Sequence, residues 1–326
     1  MTHVGTAGHF DASAAQAEPG QSAIEVVDVT KRFGSNLALK GVSFTVARGS
    51  VFGVIGPNGA GKTTLMRTLL DIIRATSGSA TVLGTNSRNA GPELRRRIGY
   101  LPGELILEGR ISGGRLLQHY ADISGPVREG RIEQLADRLK LDLDHPVRKL
   151  SKGNKQKLGV IQAFMHEPEL LVLDEPTSGL DPLMQQEFLS LVQEASEAGQ
   201  TVFLSSHVIS EIQQAADEVA ILRDGRIVTI ATVEELRNTA IRHLRMSATG
   251  LGTAELAARL GGLAGVGDLD CTITAGGAVE ATATLRGEIQ PFVQAISTLT
   301  LTDLVLEEPD LEESVLKLYS SPEVDS

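Results

Sequence analysis

Between a short apolar run, Val51-Phe52-Gly53-Val54-Ile55, and helix-forming sequence from Lys62 to Leu70 lies the segment Gly56-Pro57-Asn58-Gly59-Ala60-Gly61-Lys62-Thr63-Thr64. It satisfies the pattern G-x-x-x-x-G-K-[ST], and no other feature limits the chain as much. Glycines let backbone N–H groups converge on phosphate oxygens, and the N-terminus of the following helix adds a favourable dipole. Lys62 is then placed to bridge the outer phosphates of a nucleotide, and the Thr63 hydroxyl to ligate Mg2+. The apolar run reads as a buried strand, so the loop sits at a strand-to-helix turn.

A phosphate loop by itself leaves a kinase, a GTPase and several ATPase classes open. The second half of the chain narrows the choice. Leu170-Leu171-Val172-Leu173-Asp174-Glu175 is a buried-strand pattern that ends in two acids. Successive strand residues face opposite ways, so the two carboxylates are free to differ in role. Asp174 suits the Mg2+ shell and Glu175 the attacking water. Thr201-Val202-Phe203-Leu204-Ser205-Ser206-His207 is a further buried strand running into a histidine. At the end of a core strand, His207 falls on the sheet edge where ligands bind in open α/β folds. The guanine-reading pattern N-K-x-D is not matched by Asn154-Lys155-Gln156-Lys157, which ends in lysine.

Along the rest of the chain, Ile24–Val29 and Val42–Val46 alternate as strands do. Charged residues at helical spacing dominate from about Arg95 to Phe164. Strand-like runs return at Leu170–Leu173, Val202–Ser205 and Val219–Leu222, with helical stretches between them. That alternation predicts a mostly parallel α/β core. Asp224-Gly225 marks a hairpin between 219–223 and 226–230. Residues 1–22 lack periodicity and are expected to form a disordered tail. Beyond about Ala240 come alternating runs at Asp268–Thr274 and Val279–Leu285 around Ala275-Gly276-Gly277. A helical stretch at Ile289–Leu299, a strand at Asp303–Leu306 and an amphipathic stretch at Leu311–Tyr319 complete a small α+β appendage. The expected division is therefore 1–22 tail, 23–240 nucleotide-binding domain with a helical subdomain at about 95–165, and 241–326 accessory domain.

Composition removes other classes. A net charge of −11 with a pI of about 5.2 opposes a nucleic-acid footprint. Aromatics make up 3% of the chain, with no Trp, so a base-stacking platform is not expected. The single cysteine, Cys271, forbids an intramolecular disulfide and suits a reducing cytoplasm. The first Lys or Arg is Lys31, which opposes a signal or transit peptide, and no apolar run approaches the ~18 residues of a spanning helix. Any membrane role must come through a partner.

With these residues in view, the chain resembles the ABC ATPase family over about residues 23–235. Leu150-Ser151-Lys152-Gly153-Asn154 is similar to the family signature LSGGQ, and Ser178-Gly179-Leu180-Asp181 to its D-loop. His207 falls at the switch histidine. The resemblance implies a P-loop NTPase core with an inserted helical subdomain, and ATP and Mg2+ as cofactors. It also implies a head-to-tail pair of ATPase subunits, with Ser151 and Gly153 of one facing the ATP held by the other. Phe33 would stack on adenine, Gly56, Asn58, Gly59, Gly61, Lys62, Thr63 and Thr64 would hold the phosphates, and Thr63 with Asp174 the metal. Glu175 would be the general base and His207 a γ-phosphate contact. Two positions depart from the pattern: Gly103 stands at the Q-loop glutamine, where Glu104 next door is a substitute candidate, and Lys152 and Asn154 replace a glycine and a glutamine of the signature. The stretch Glu308–Tyr319 is similar to the end of ATPase subunits in ABC-2-type drug and multidrug exporters. The expected function is to power export of a drug-like or lipid-like substrate through separate integral membrane subunits, from the cytoplasmic membrane face. The alternative is an ABC ATPase that works on the ribosome or another complex.

Overall fold

The computed structural model describes residues 22–239, 241–274 and 276–307. The chain falls into two compact units, Met1–Ile230 and Ala231–Ser326.

The first unit opens with an antiparallel pair, β1 (Ser22–Phe33) and β2 (Asn36–Ala47), where Ile24 faces Val46 and Val26 faces Phe44. Their alternating apolar residues are buried on one side, as period-two patterning requires. β3 (Val51–Ile55) is buried at all five residues and leads through the glycine loop into α1 (Lys62–Leu69). β4 (Ser77–Val82) returns to β1, and β5 (Thr85–Asn86) pairs with β4. These strands make a four-stranded sheet of order β2-β1-β4-β5. After α2 (Pro92–Arg96) and the short β6 (Ile98–Leu101) comes a helical stretch, α3 (Gly113–Ser124), α4 (Arg131–Arg138) and α5 (Lys152–Phe164). β7 (Leu170–Asp174), α6 (Pro182–Glu197), β8 (Thr201–Ser206), α7 (Ile209–Ala215), β9 (Glu218–Arg223) and β10 (Arg226–Thr232) follow.

The second sheet has order β10-β9-β3-β8-β7-β6, with parallel pairs β3–β8, β3–β9, β7–β8 and β6–β7. β3, β7 and β8 are buried at every residue, which explains their unbroken apolar runs. Ile55 lies beside Ser206, and Asp174 beside Ser205. That register brings the carboxyl ends of three neighbouring strands level, so the glycine loop, the acids and His207 emerge along one edge. The two sheets pack through stacked rings. Phe44 of the first lies 5.5 Å from Phe52 and 5.7 Å from Phe203 of the second, centroid to centroid.

Arg138 on α4 binds α6. Its Nε donates to Glu187 Oε1, and its two terminal nitrogens donate to the two oxygens of Glu194, each at 2.6 Å. This paired geometry fixes α4 against α6.

In the second unit, α8 (Val233–Thr239) precedes β11 (Ile241–Thr249), α9 (Thr253–Gly261), β12 (Val266–Ile273), β13 (Val279–Arg286), α10 (Gln290–Ile296) and β14 (Thr300–Leu306). From β11 onward this is a β-α-β-β-α-β unit with an antiparallel sheet of order β12-β13-β11-β14. Met246, Leu256, Leu260 and Phe292 form its core with Leu285. The α+β expectation holds, although β11 and α9 carry no signal singled out from the sequence. Residues 1–21, Ala275 and the stretch Leu311–Tyr319 lie outside the described residues. Among the described residues, no helix is long and apolar enough to cross a membrane.

Hydrogen bonds from Arg138 are the main cause that holds the Glu194 carboxyl below the ordinary glutamate range. A carboxylate with a depressed folded-state pKa adds stability that is complete above its unfolded value, about 4.3, and is lost as pH falls through the folded value. Arg138→Met should therefore cost about 1 kcal/mol at pH 7, a solvent-screened figure. The gap to the parent should shrink below about pH 4, as read by urea denaturation at pH 7 and pH 3.

Candidate active site

The loop after β3 turns back under α1. Gly61, at the N-cap of α1, has φ 112°, a conformation that L side chains rarely adopt. Lys62, only 6% exposed, folds onto the loop: its Nζ donates to Gly56 O at 2.6 Å and sits 3.1 Å from Glu175 Oε1. Glu175 Oε1 has no partner in hydrogen-bond geometry, so this last contact is an ion pair rather than a hydrogen bond. A cleft of about 410 Å3 opens here, lined by Phe33, Asn58, Gly59, Gly61, Lys62, Thr63, Thr64 and Glu175 among others. Phe33 is half exposed, with Lys31 Nζ 4.7 Å from its ring centroid.

The two acids at the end of β7 have different settings. Asp174 is fully buried. Its Oδ1 accepts from Ser205 Oγ at 2.6 Å, while Oδ2 has no hydrogen-bond partner. Its charge reaches the half-buried Tyr100 on β6, whose phenol is pushed above its ordinary pKa first by burial and then by Asp174. Glu175 follows with a left-handed backbone, φ 48°. That twist turns its side chain to the cleft, where His207 Nδ1 donates to Oε2 at 2.5 Å. Glu175 N donates to Ser205 Oγ at 3.1 Å and to Ser205 O at 3.2 Å. One serine thus holds both acids. Its sequence signal is weak, since it is one of three hydroxyl residues in β8, beside Thr201 and Ser206. The turn after His207 is held by Ser206, whose Oγ donates to Glu211 and accepts from Val208 N.

Gly103 backs onto Asp174. A Cβ there would lie 3.0 Å from Asp174 Oδ2, closer than a side chain sits without moving its neighbour. Glu104 is exposed. Ser151 caps α5 by accepting from Asn154 N, and Asp181 caps α6 by accepting from Met184 N. Ser151, Gly153 and Asp181 do not line the cleft that holds Lys62. Lys62, Thr63, Asp174, Glu175 and His207 are brought together along the strand edge; Ser151, Gly153 and Asp181 stand apart from it.

Residues 39–178 match the family model described as ABC transporter. An uncharacterized ABC transporter ATP-binding protein of Nostoc is 38% identical over 207 residues, 61% of this chain and 61% of its own length. A bacitracin transport ATP-binding protein of Bacillus licheniformis is 35% identical over 226 residues, 68% of this chain and 73% of its own. A probable multidrug ABC transporter ATP-binding protein of Escherichia coli is 33% identical over 68% of this chain, a segment that spans only 39% of its length. Among solved structures, an ATP-binding subunit of an ABC transporter aligns with TM-score 0.62 at 29% identity, covering 66% of this chain and 92% of that one. A dimeric ATP-binding cassette bound to ADP and Pi shares the fold at TM-score 0.58 and 20% identity, over 64% of this chain and 98% of that one.

Ser205→Ala would leave the buried Asp174 carboxylate with no hydrogen bond at either oxygen. It should destabilise the chain by about 2 kcal/mol, measured by urea denaturation.

Proposed function

We propose that this chain, which belongs to the ABC transporter family, is the ATP-hydrolysing subunit of an exporter whose membrane channel lies in other chains. The observation that carries the reading is the convergence of Lys62, Asp174, Glu175 and His207 at one strand edge beside the glycine loop. Backbone amides of the loop and the N-terminus of α1 favour the phosphates of ATP, and Lys62 bridges the outer two. Phe33, half exposed at the cleft mouth, offers a face to adenine.

The donors fit a magnesium ion: a threonine hydroxyl, and a buried carboxylate oxygen, Asp174 Oδ2, that no protein group satisfies. Thr63 and Asp174 would hold the ion, which supplies charge neutralisation on the phosphates. Ser205 keeps Oδ1 engaged, so Asp174 presents its other oxygen. Gly103 has no side chain to add, and Glu104 is the nearest substitute.

Glu175 takes the proton of the attacking water as general base. His207, hydrogen-bonded to Oε2, orients that carboxylate and lies where it can reach the γ-phosphate. Lys62 leaves the carboxylate for the phosphates, which frees the base. Ser151 and Gly153 face the nucleotide of a second subunit in a head-to-tail dimer, in keeping with their place outside their own chain's cleft. ATP binds the closed dimer better than the open one, and hydrolysis resets the pair, which drives membrane subunits from the cytoplasmic face. The bacitracin and multidrug names of the relatives support export of a drug-like or lipid-like substrate. They give no support to a role on the ribosome.

Glu175→Gln should bind ATP within about threefold of the parent and hydrolyse it at about a hundredth of the rate or less. Equal hydrolysis in that variant overturns the assignment of the base. Capture of the tagged chain from solubilised native membranes should bring down a polytopic membrane protein in stoichiometric amount; its absence overturns the transporter reading and leaves the ATPase.

A further inference from the structure

Gln156 lies on α5, one turn beyond the cap, and is 4% exposed. A buried amide is costly unless its protons find acceptors. Those of Gln156 leave its own helix: Nε2 donates to Pro176 O at 2.8 Å and to Glu175 O at 3.3 Å. Both carbonyls belong to the turn that begins at the proposed general base. That turn is not an easy one. Glu175 holds a left-handed backbone, which costs a non-glycine residue about 1 kcal/mol or more and persists only where the surroundings impose it.

The surroundings come from two sides. From β8, Ser205 receives Glu175 N. From α5, Gln156 grips the carbonyl side. Two contacts in the first turn of α5 strengthen that grip. Lys152 Nζ donates to Ser178 Oγ at 3.2 Å, and a Cβ on Gly153 would fall 2.6 Å from Gly179 O, so helix and turn are in backbone contact. The start of α5 and residues 175–179 therefore move as one piece.

We propose that Gln156 is a positioning residue for Glu175: it fixes the left-handed turn that aims the carboxylate at Lys62 and His207, and it makes that aim depend on the pose of α5. The inference rests on the reading of Glu175 as the base. Gln156 touches no reacting group. It acts through two backbone carbonyls, on a helix whose cap, Ser151, faces the partner's nucleotide in the proposed dimer. A tilt of α5 on dimer closure is thereby transmitted to the base. Lys152, a departure from the signature pattern, reinforces the same seam.

The test compares steady-state ATP hydrolysis, ATP binding and melting temperature for the full chain, Gln156→Met and Glu175→Gln. Gln156→Met keeps the side-chain volume and removes both donors. It should lower kcat by about ten- to a hundredfold, the scale of a misplaced catalytic group, with KM and Kd for ATP within about twofold. An unchanged kcat, or a loss of kcat matched by equal losses of ATP affinity and melting temperature, overturns the proposal. Should the methionine variant not fold, Gln156→Asn, which retracts the amide by one methylene, is held to the same split. If Glu175→Gln hydrolyses ATP normally, the reading of the base fails first. If Glu175→Gln is dead and Gln156→Met is fully active, only the positioning role fails.

Discussion

The hydroxyl of Ser205 sits between two carboxylates that need opposite treatment. It donates to Asp174 Oδ1 and accepts from the backbone of Glu175, so a single oxygen holds one acid down and lets the next turn away. This works only because β7 and β8 run parallel with Asp174 beside Ser205, and because β8 meets β3 with Ser206 beside Ile55. A shift of one residue in either ladder would exchange inward and outward side chains and break the constellation. Most of the first unit serves that register. Stacked rings of Phe44, Phe52 and Phe203 pin the antiparallel sheet to the parallel one, and three strands without an exposed residue leave the ladder little room to slip.

The site is built under electrostatic tension. A fully buried aspartate keeps one oxygen without a partner, and a nearly buried lysine is satisfied by loop carbonyls and a neighbouring carboxylate. Such groups are expensive in a core and belong where charge is to be bound. Gly103 fits the same picture. A Cβ at this position would come so close to Asp174 that the carboxylate would have to give way.

Much of this is legible in the sequence alone. The glycine loop, the strand that precedes it and the Asp174-Glu175 pair stand out because local chemistry dictates them: glycine where backbone must approach phosphate, unbroken apolar residues where a strand is buried on both faces. Elements with weaker local signals are not legible in the sequence. β4 begins Ser77-Gly78-Ser79, all exposed, and β6 is four residues long inside a charged, helix-like stretch. β11 is defined by its pairing with β13 and β14, and α9 by the core that Leu256 and Leu260 share with them.

By itself the sequence determined which chemistry the chain can hold: a phosphate cradle, two acids and a histidine at the ends of buried strands, with a family pattern around them. The tertiary structure alone decided how those groups face one another. Nothing in linear order says that Ser205 serves both acids, that the ammonium of Lys62 comes to lie beside Glu175, or that Gln156 donates to the turn that begins at Glu175. Each of those contacts joins residues far apart in the chain, and their geometry follows from strand register and helix seating, which only the packed core can fix.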